Sequence, residues 1–291
     1  MPRTINRGFE DFHSSLTPSP GESQAAKDHR TSIEACLKSG FGLNRFFRTG
    51  SFGNGTSISG YSDVDYFASI PTAGLKQNSS STLTAVRDAL NARFYNTNVR
   101  VNCPAVYVPF GTLAKDATEV VPADYVSQTD GGYSLYDIPD CHGGWMRSSP
   151  ETHNAYVAVV DTKVKGKLKP LIRFVKGWKF YCNVPISSFY LELRTAKYAE
   201  GEKTIVYDID VKNLFKHLVD IDLAKMQDPA GISGYIVPCS TNVMLQDAKS
   251  KLSTAYNRAT KARDAESAGD TKTAFYWWNL LYADNFPAYY L

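Results

Sequence analysis

The stretch GSFGNGTSISGYSDVDYF, residues 50–67, decides how this chain is interpreted, because it combines a Gly-Ser turn with two aspartates spaced two residues apart. Apolar and aromatic residues at 45–49 and 64–67 predict two short strands beside the turn. Asp63 and Asp65 are then expected on one strand face, roughly 6–7 Å apart at Cβ, where both carboxylates can reach one or two divalent ions. A solvent-exposed strand end has the same spacing without any metal.

The Gly50-Ser51 pair adds a second feature to this stretch. A flexible turn at the end of the first strand can direct backbone N–H groups and a hydroxyl at phosphate oxygens. Carboxylate oxygens are hard ligands, which favour Mg²⁺ or Mn²⁺ over softer metals. Residues 50–65 therefore contain both an anion-binding turn and candidate metal ligands, which together indicate a site for a nucleoside triphosphate.

The motif GSFGNGT followed by SDVD resembles the signature of the polymerase-β-like nucleotidyltransferases. The resemblance is to the bacterial CD-NTases, relatives of cyclic GMP-AMP synthase and oligoadenylate synthase. It implies a third carboxylate before a Val-Val-Pro-Ala run, and in this chain Glu119 holds that position. Asp63, Asp65 and Glu119 are thus implied to be the catalytic ligands of Mg²⁺, with Mn²⁺ possible. Asp116 and Asp124 lie nearby and are interpreted as solvated loop charges.

A second informative stretch is LKPLIRFVKGWKFYCNVPISSFYLE, residues 168–192. Its apolar spacing predicts a helix with Pro170 in the first turn. Lys169, Arg173 and Lys176 share another face at helical spacing, and most such charged stripes are solvated. The family resemblance implies that Lys176 binds the triphosphate.

Ser187 and Ser188 follow a proline and precede an aromatic residue, a pattern typical of a helix N-terminus. One of the two serines is expected to cap the helix, and the other can contact phosphate there. By resemblance, nucleotide binding is assigned to Gly50, Ser51, Lys176, Ser188 and Phe189. Phe189 is placed near the base, where an aromatic face can stack, and a core role is its alternative.

Composition limits the remaining classes of function. The chain has 291 residues with 43% hydrophobic content, enough for a sizeable core, and a net charge of only +3. Such a charge gives no field that would hold a polyanion, so constitutive nucleic-acid binding is not expected. Five scattered cysteines lack zinc-site spacing and are predicted to be reduced, as in cytosol. No apolar run suits a membrane span, and a cytoplasmic protein without membrane association is predicted.

Periodicity predicts further elements along the chain. Residues 17–23 form a break before a helix over 24–39, and Leu83, Val86 and Leu90 indicate another helix. Strands are expected over 99–108 and 119–121, and helices within 242–286. The stretch DGGYSLYDIPDCHGGW, residues 130–145, is expected to be irregular, either a loop beside the active cleft or a linker between lobes.

The predicted fold class is α+β: a polymerase-β-like nucleotidyltransferase lobe with a mixed β-sheet, plus an oligoadenylate-synthase-like C-terminal helical lobe. Residues 1–160 are assigned to the catalytic lobe with its leading helices, and residues 161–291 to the helical lobe. The resemblance implies that the active site lies in the cleft between them.

The activity implied by the resemblance is that of a cyclic oligonucleotide synthase. It would join ribonucleoside triphosphates, ATP or GTP or both, into a cyclic di- or trinucleotide and release pyrophosphate. The product would act on a separate effector protein in bacterial antiphage (CBASS) signalling. Two alternatives remain: a template-independent nucleotidyltransferase that makes linear oligonucleotides or extends RNA, and a non-catalytic nucleotide-binding protein. A basic surface would favour the former, and loss of a carboxylate would favour the latter.

Overall fold

The computed structural model of the chain describes residues 4–61, 63–112 and 116–290. Within these ranges the chain forms ten α-helices and nine β-strands, which confirms the predicted α+β class. The helices are α1 Ile5–Leu16, α2 Pro20–Phe41, α3 Gly50–Asn54, α4 Ser79–Arg93, α5 Pro150–Lys163, α6 Leu168–Tyr181, α7 Ser188–Glu200, α8 Tyr207–Asp220, α9 Asn242–Ser267 and α10 Thr271–Leu281. The strands are β1 Arg45–Arg48, β2 Val64–Ser69, β3 Arg100–Asn102, β4 Ala105–Val108, β5 Thr118–Gln128, β6 Ser134–Pro139, β7 Trp145–Ser148, β8 Met226–Gln227 and β9 Tyr235–Ile236.

The chain divides into two compact units. The sheet unit comprises Pro18–Tyr156 and Ala230–Ser233, and the helical unit comprises the segments up to Thr17, Val157–Pro229 and from Gly234 onward. The division inside α5 lies close to the boundary expected at residue 160. The first helix differs from expectation, because α1 belongs to the helical unit instead of leading the catalytic lobe.

Strands β1 to β7 form one mixed sheet in the sheet unit. The order is β1-β2-β5-β4-β3, and the long strand β5 also pairs with β6, which pairs with β7. The β2–β5 pair is parallel, whereas the β1–β2, β4–β5 and β3–β4 pairs are antiparallel. Strand β5 therefore lies at the centre, where its first residues are flanked on both sides.

The two faces of this sheet have different surroundings. Val64, Tyr66 and Val120 belong to a core cluster with Leu37 of α2 and Val86 of α4. Phe67, Val121 and Ala123 point to the other face, into a separate cluster with Tyr136 and Ile138 of β6. Because side chains alternate along a strand, every second residue of β2 and β5 shares the face that α2 and α4 do not cover.

Residues 130–145 are the clearest departure from the sequence prediction of an irregular loop. Strand β6 pairs with β5 and with β7 here, so the expectation was wrong for residues 134–139 and for Trp145, where β7 begins. The glycines lie in the flanking turns, with Gly132 and Gly143 at positive φ, and the alternating residues between them form the strand. Helix α2 extends beyond the predicted 24–39 at both ends: it begins at Pro20, inside the predicted break, and ends at Phe41, before Gly42 at φ +68°.

The helical unit has an aromatic core around α1. The Phe9 ring lies 5.0 Å from the ring centroids of both Phe174 in α6 and Trp278 in α10. The Phe12 ring stacks on Phe174 and lies 4.4 Å from Tyr282. These buried contacts explain why α1 joins the helical unit, since burying two phenylalanine side chains contributes several kcal/mol, about 1.5–3 kcal/mol each.

The cysteines also differ from the prediction of five reduced thiols. Cys103, in the β3–β4 turn, forms a disulfide with Cys141, in the β6–β7 loop, with the Cα atoms 5.6 Å apart. The two residues are 38 positions apart, and only the folded sheet brings these turns together. Cys36, Cys182 and Cys239 are free thiols. Across the described residues, no helix combines the length and apolar character required to cross a membrane.

Candidate active site

The parallel β2–β5 pair places two of the predicted ligands side by side. Asp65 and Glu119 are direct Cα partners in this pairing, and Tyr107 of β4 is the partner of Glu119 on its other side. Adjacent strands lie about 4.8 Å apart, so the Asp65 and Glu119 side chains leave the sheet as neighbours. Both occupy the face opposite α2 and α4, two residues before Phe67 and Val121.

Asp63 lies just before β2, which begins at Val64. The sequence predicts both aspartates on one strand, and in the structure the strand begins between them, at Val64. The pKa of the Tyr107 hydroxyl is raised, first by burial and next by the negative charges of Asp63 and Glu119, against the opposing charge of Arg100. Asp63 and Glu119 thus act on the same small region beside β4.

Gly50 lies directly against the Asp65 carboxylate. Gly50 has φ +56°, and a Cβ atom built there would lie 1.8 Å from Oδ2 of Asp65. The backbone N–H of Thr49 donates to the Asp65 carbonyl at 2.8 Å. A residue with a side chain at position 50 would collide with the carboxylate, so glycine is required for this close approach. The predicted Gly-Ser turn is in fact the short helix α3, with Ser51 in its first turn.

The candidate site contains one contact that sequence reasoning missed. Nδ2 of Asn102, at the end of β3, donates a hydrogen bond of 2.6 Å to Oε1 of Glu119. Asn102 and Glu119 lie on strands separated by β4, and no local pattern in the sequence links them. Asp124 was predicted to be a solvated loop charge, but it lies within β5. Its carboxylate accepts a hydrogen bond from the Thr72 hydroxyl.

The described carboxylates of the candidate site provide a pair of ligands for a metal ion and not a group of three. Within residues 4–61, 63–112 and 116–290, no three His, Cys, Asp or Glu side chains are grouped so that they could hold one. Asp63, Asp65 and Glu119 therefore do not form a three-ligand group. Mg²⁺ ordinarily takes one or two carboxylates together with substrate phosphates. The Asp65–Glu119 pair, with side-chain-free backbone at Gly50 beside it, fits that requirement.

In the helical unit, α6 presents two lysines one turn apart in very different surroundings. Lys176 is only 2% exposed and forms an ion pair with the buried carboxylate of Glu192 in α7. Nζ of Lys179 lies 2.6 Å from Oγ of Ser188 and is partly buried. The sequence assigned Lys176 and Ser188 to one triphosphate, but the lysine that contacts Ser188 is Lys179.

The position of Lys176 follows from helical spacing. Lys176 lies four residues after Ile172 and eight after Leu168, so it continues a buried row of α6. Lys179 lies outside that row. The partner of Lys176, Glu192, lies 16 residues further along the chain, in α7, so the inward position of Lys176 becomes apparent only when the two helices pack together.

Helix α7 begins as its sequence predicts. Ser187 is the N-cap, and its side chain accepts a hydrogen bond of 3.3 Å from the backbone N–H of Tyr190. Ser188, at the first helical position, contacts Lys179. Phe189 follows with 42% of its surface exposed, which argues against the alternative that it is an ordinary core residue.

Comparisons with known proteins agree with this architecture. The profile of the Second Messenger Oligonucleotide or Dinucleotide Synthetase domain (SMODS) matches residues 3–160. A probable cyclic nucleotide synthase of Bacillus cereus is 27% identical over 177 residues, which cover 59% of this chain and 52% of that protein. A cyclic AMP-AMP-AMP synthase of an Acinetobacter species is 24% identical over 235 residues, 77% of this chain and 65% of that protein. The chain thus spans roughly half to two thirds of the length of these relatives.

Several solved structures match over nearly the whole chain. One of them is the Vibrio cholerae DncV cyclic AMP-GMP synthase in complex with the linear intermediate 5′ pppA(3′,5′)pG. The TM-score is 0.79 at 14% sequence identity, and the match covers 99% of this chain and 97% of that chain. At this identity, the likeness shows a shared fold.

Proposed function

Because the chain belongs to the SMODS family, whose profile matches residues 3–160, we propose that it is a metal-dependent cyclic oligonucleotide synthase. It joins ribonucleoside triphosphates into a cyclic di- or trinucleotide and releases pyrophosphate. The observation that carries this proposal is the β2–β5 register, which aligns Asp65 with Glu119 on the open face of the sheet beside Gly50. An aligned carboxylate pair next to exposed backbone suits a metal that also binds phosphate.

The carboxylates are assigned to metal binding. Asp65 and Glu119 would hold Mg²⁺, with Mn²⁺ as a substitute, and family resemblance assigns Asp63, which is not grouped with them in this structure, as the third ligand. When bound, the metal supplies charge stabilisation for the attacking and leaving oxygens of phosphoryl transfer, so no catalytic histidine is required. Gly50 keeps the space next to Asp65 free of side-chain atoms. Gly50 and the adjacent Ser51 are assigned, by family resemblance, to contacts with the phosphates.

The helical unit is assigned a role in binding a nucleotide. Lys179 and Ser188, already in contact, present an ammonium group and a hydroxyl that can both donate to phosphate oxygens. Lys176 is assigned a structural role because it is buried against Glu192. Phe189, with its partly exposed ring, is assigned to stacking on a base.

The relatives support the substrate class. The Acinetobacter protein is named as a cyclic AMP-AMP-AMP synthase, and the Vibrio structure contains a linear intermediate of adenosine and guanosine nucleotides. We therefore assign ATP, GTP or both as substrates, with a linear intermediate that is closed into a ring. Family resemblance further supports a role in CBASS antiphage signalling in the cytoplasm, through a separate effector protein that binds the product.

The runner-up function is synthesis of linear oligonucleotides or extension of RNA. It would need a surface for a long polyanion, and the net charge of +3 gives little support for one. The two functions differ in their products, because a ring has no terminal phosphate and a linear oligonucleotide keeps a 5′-triphosphate.

The experiment is to incubate the purified protein with all four ribonucleoside triphosphates and Mg²⁺ or Mn²⁺, treat half of each reaction with phosphatase, and identify products by mass spectrometry. The expected product is a cyclic di- or trinucleotide that resists phosphatase and is absent with Asp65→Asn protein. A ladder of phosphatase-sensitive linear products, with no ring detected, would instead establish the runner-up.

A further inference from the structure

The side chain of Asn102 reaches across the sheet to the candidate third ligand. Asn102 is the last residue of β3 and pairs with Ala105, while Glu119 is on β5, beyond β4. Nδ2 of Asn102 nevertheless lies 2.6 Å from Oε1 of Glu119. This hydrogen bond reaches the Glu119 carboxylate from the side opposite Asp65, which is the Cα partner of Glu119 on β2.

A glutamate at this position needs such a contact more than an aspartate would. Its side chain has one additional rotatable bond, and each rotamer must be frozen before the carboxylate can act as a ligand. An amide that donates to Oε1 selects one orientation and leaves Oε2 as a ligand atom. Because the amide is neutral, it orients the carboxylate without neutralising its charge, whereas lysine or arginine would compete with a cation.

The backbone that carries Asn102 is itself held in place. The next residue, Cys103, is joined by a disulfide to Cys141 in the β6–β7 loop, so the β3–β4 turn is attached to a second loop of the same unit. On the same strands, the Arg100 guanidinium lies 4.2 Å from the Tyr107 ring centroid, beside Glu119. The β3–β4 hairpin beside β5 is therefore held both at its turn and along its strands.

We propose that Asn102 is a positioning residue that holds the Glu119 carboxylate in the orientation required of a metal ligand. This inference rests on the proposed function, since it assigns a support to one of the metal ligands named there. Groups that orient metal ligands through hydrogen bonds commonly change metal affinity by about 10–100-fold when removed. Asn102 is expected to do the same without contacting the metal or the nucleotide.

The test measures metal binding directly. Wild-type protein and the Asn102→Ala and Asn102→Ser variants are each saturated with the non-hydrolysable ATP analogue ApCpp and titrated with Mn²⁺, with free Mn²⁺ followed by electron paramagnetic resonance. Asn96→Ala is the matched control, because Asn96 is an exposed residue shortly before β3. Melting temperatures identify any variant that is misfolded, and Asn102→Ser retains a polar residue in case alanine destabilises the turn.

The expected result is an affinity for Mn²⁺ at least about tenfold weaker in both Asn102 variants and unchanged in Asn96→Ala. In parallel assays, the Mg²⁺ concentration for half-maximal turnover should rise by a similar factor, while turnover at saturating Mg²⁺ largely recovers. If Asp65→Asn weakens Mn²⁺ binding but the Asn102 variants bind Mn²⁺ as tightly as wild type, the positioning role of Asn102 is refuted and the proposed function is retained. If none of these substitutions changes Mn²⁺ binding, the positioning role of Asn102 and the proposed metal-dependent function are both refuted.

Discussion

The sheet unit and the helical unit position their functional side chains by different physical rules. In the sheet unit, strand pairing determines both the face and the neighbour of each residue, so Asp65 and Glu119 are aligned as soon as β2 pairs with β5. In the helical unit, residues three positions apart on α6 differ in their surroundings, and Lys176 is buried while Lys179 contacts Ser188. Strand register therefore determines which residues are neighbours more strictly than position along a helix does.

The energetic cost of charge also differs between the two regions. Lys176 and Glu192 are both buried, and their ion pair offsets part of the cost of burying two charges. Asp65 and Glu119 carry like charges in adjacent positions, an arrangement that is unfavourable until a cation is shared. The helical pair therefore supports the fold, and the sheet pair is suited to ligand binding.

The largest effect is expected from breaking the helical pair. Lys176→Met should lower the free energy of unfolding by about 3–5 kcal/mol, because it removes the ammonium group that forms an ion pair with the buried Glu192 carboxylate. The Lys176→Met/Glu192→Leu double variant should recover most of this loss. The measurement is urea denaturation, and Lys216→Met, which removes an exposed ion pair with Asp220 in the same unit, should change little. Equal losses from Lys216→Met and Lys176→Met would contradict the structural role.

Asp65→Asn tests the sheet pair. The amide fits the same space but carries no charge for the metal, so synthesis should fall more than about a hundredfold while the fold is retained. Turnover is followed by pyrophosphate release, and circular dichroism checks the fold. Asp124→Asn serves as the control, because Asp124 is on the same strand as Glu119 and accepts a hydrogen bond from Thr72. Near-normal turnover by folded Asp65→Asn protein would exclude the proposed site.

Gly50→Ala tests the contact between α3 and Asp65, with Gly42→Ala as a matched control. Both glycines have positive φ, +56° and +68°, so both substitutions should cost about 1–2 kcal/mol of stability. Only at Gly50 would the added Cβ collide with Asp65, whereas nothing lies within 4 Å at Gly42. We expect turnover to fall about 10–100-fold in Gly50→Ala alone. Equal losses of turnover in both variants would show that backbone strain, not displacement of Asp65, is responsible.

The features that could be predicted from sequence are those set by local patterns. The strands around Asp65, the start of α7 at its serine cap and the α+β class were all recognised from periodicity, capping or motif. Strand β6 was missed because glycines at both ends of residues 130–145 concealed an alternating segment between them. A strand is therefore missed when the glycines of its flanking turns lead the whole segment to be predicted as a loop.

The features that could not be predicted depend on partners distant in the chain. Asn102 meets Glu119, and Cys103 meets Cys141, only after the sheet has formed. The same holds for the choice between Lys176 and Lys179, which is made by Glu192 and Ser188 of α7. Lys176 can be buried because Glu192 of α7 lies opposite it, and this pairing is evident only when α6 and α7 are considered together.

The smallest effect is expected from Lys179→Ala. This variant is compared with the Lys176 variants of the same helix. This substitution removes an ammonium group next to Ser188, at the start of α7, without leaving a buried charge unpaired, so the melting temperature should change little. Loss of one charge-assisted hydrogen bond should weaken binding of an ATP analogue by about tenfold, measured by isothermal titration calorimetry. Lys163→Ala is the control, because Lys163 is exposed and bonds to the Glu200 carbonyl. If Lys163→Ala and Lys179→Ala weaken binding equally, general electrostatics would explain the result. If only Lys176→Ala does so in folded protein, the assignment of the phosphate-binding lysine returns to Lys176.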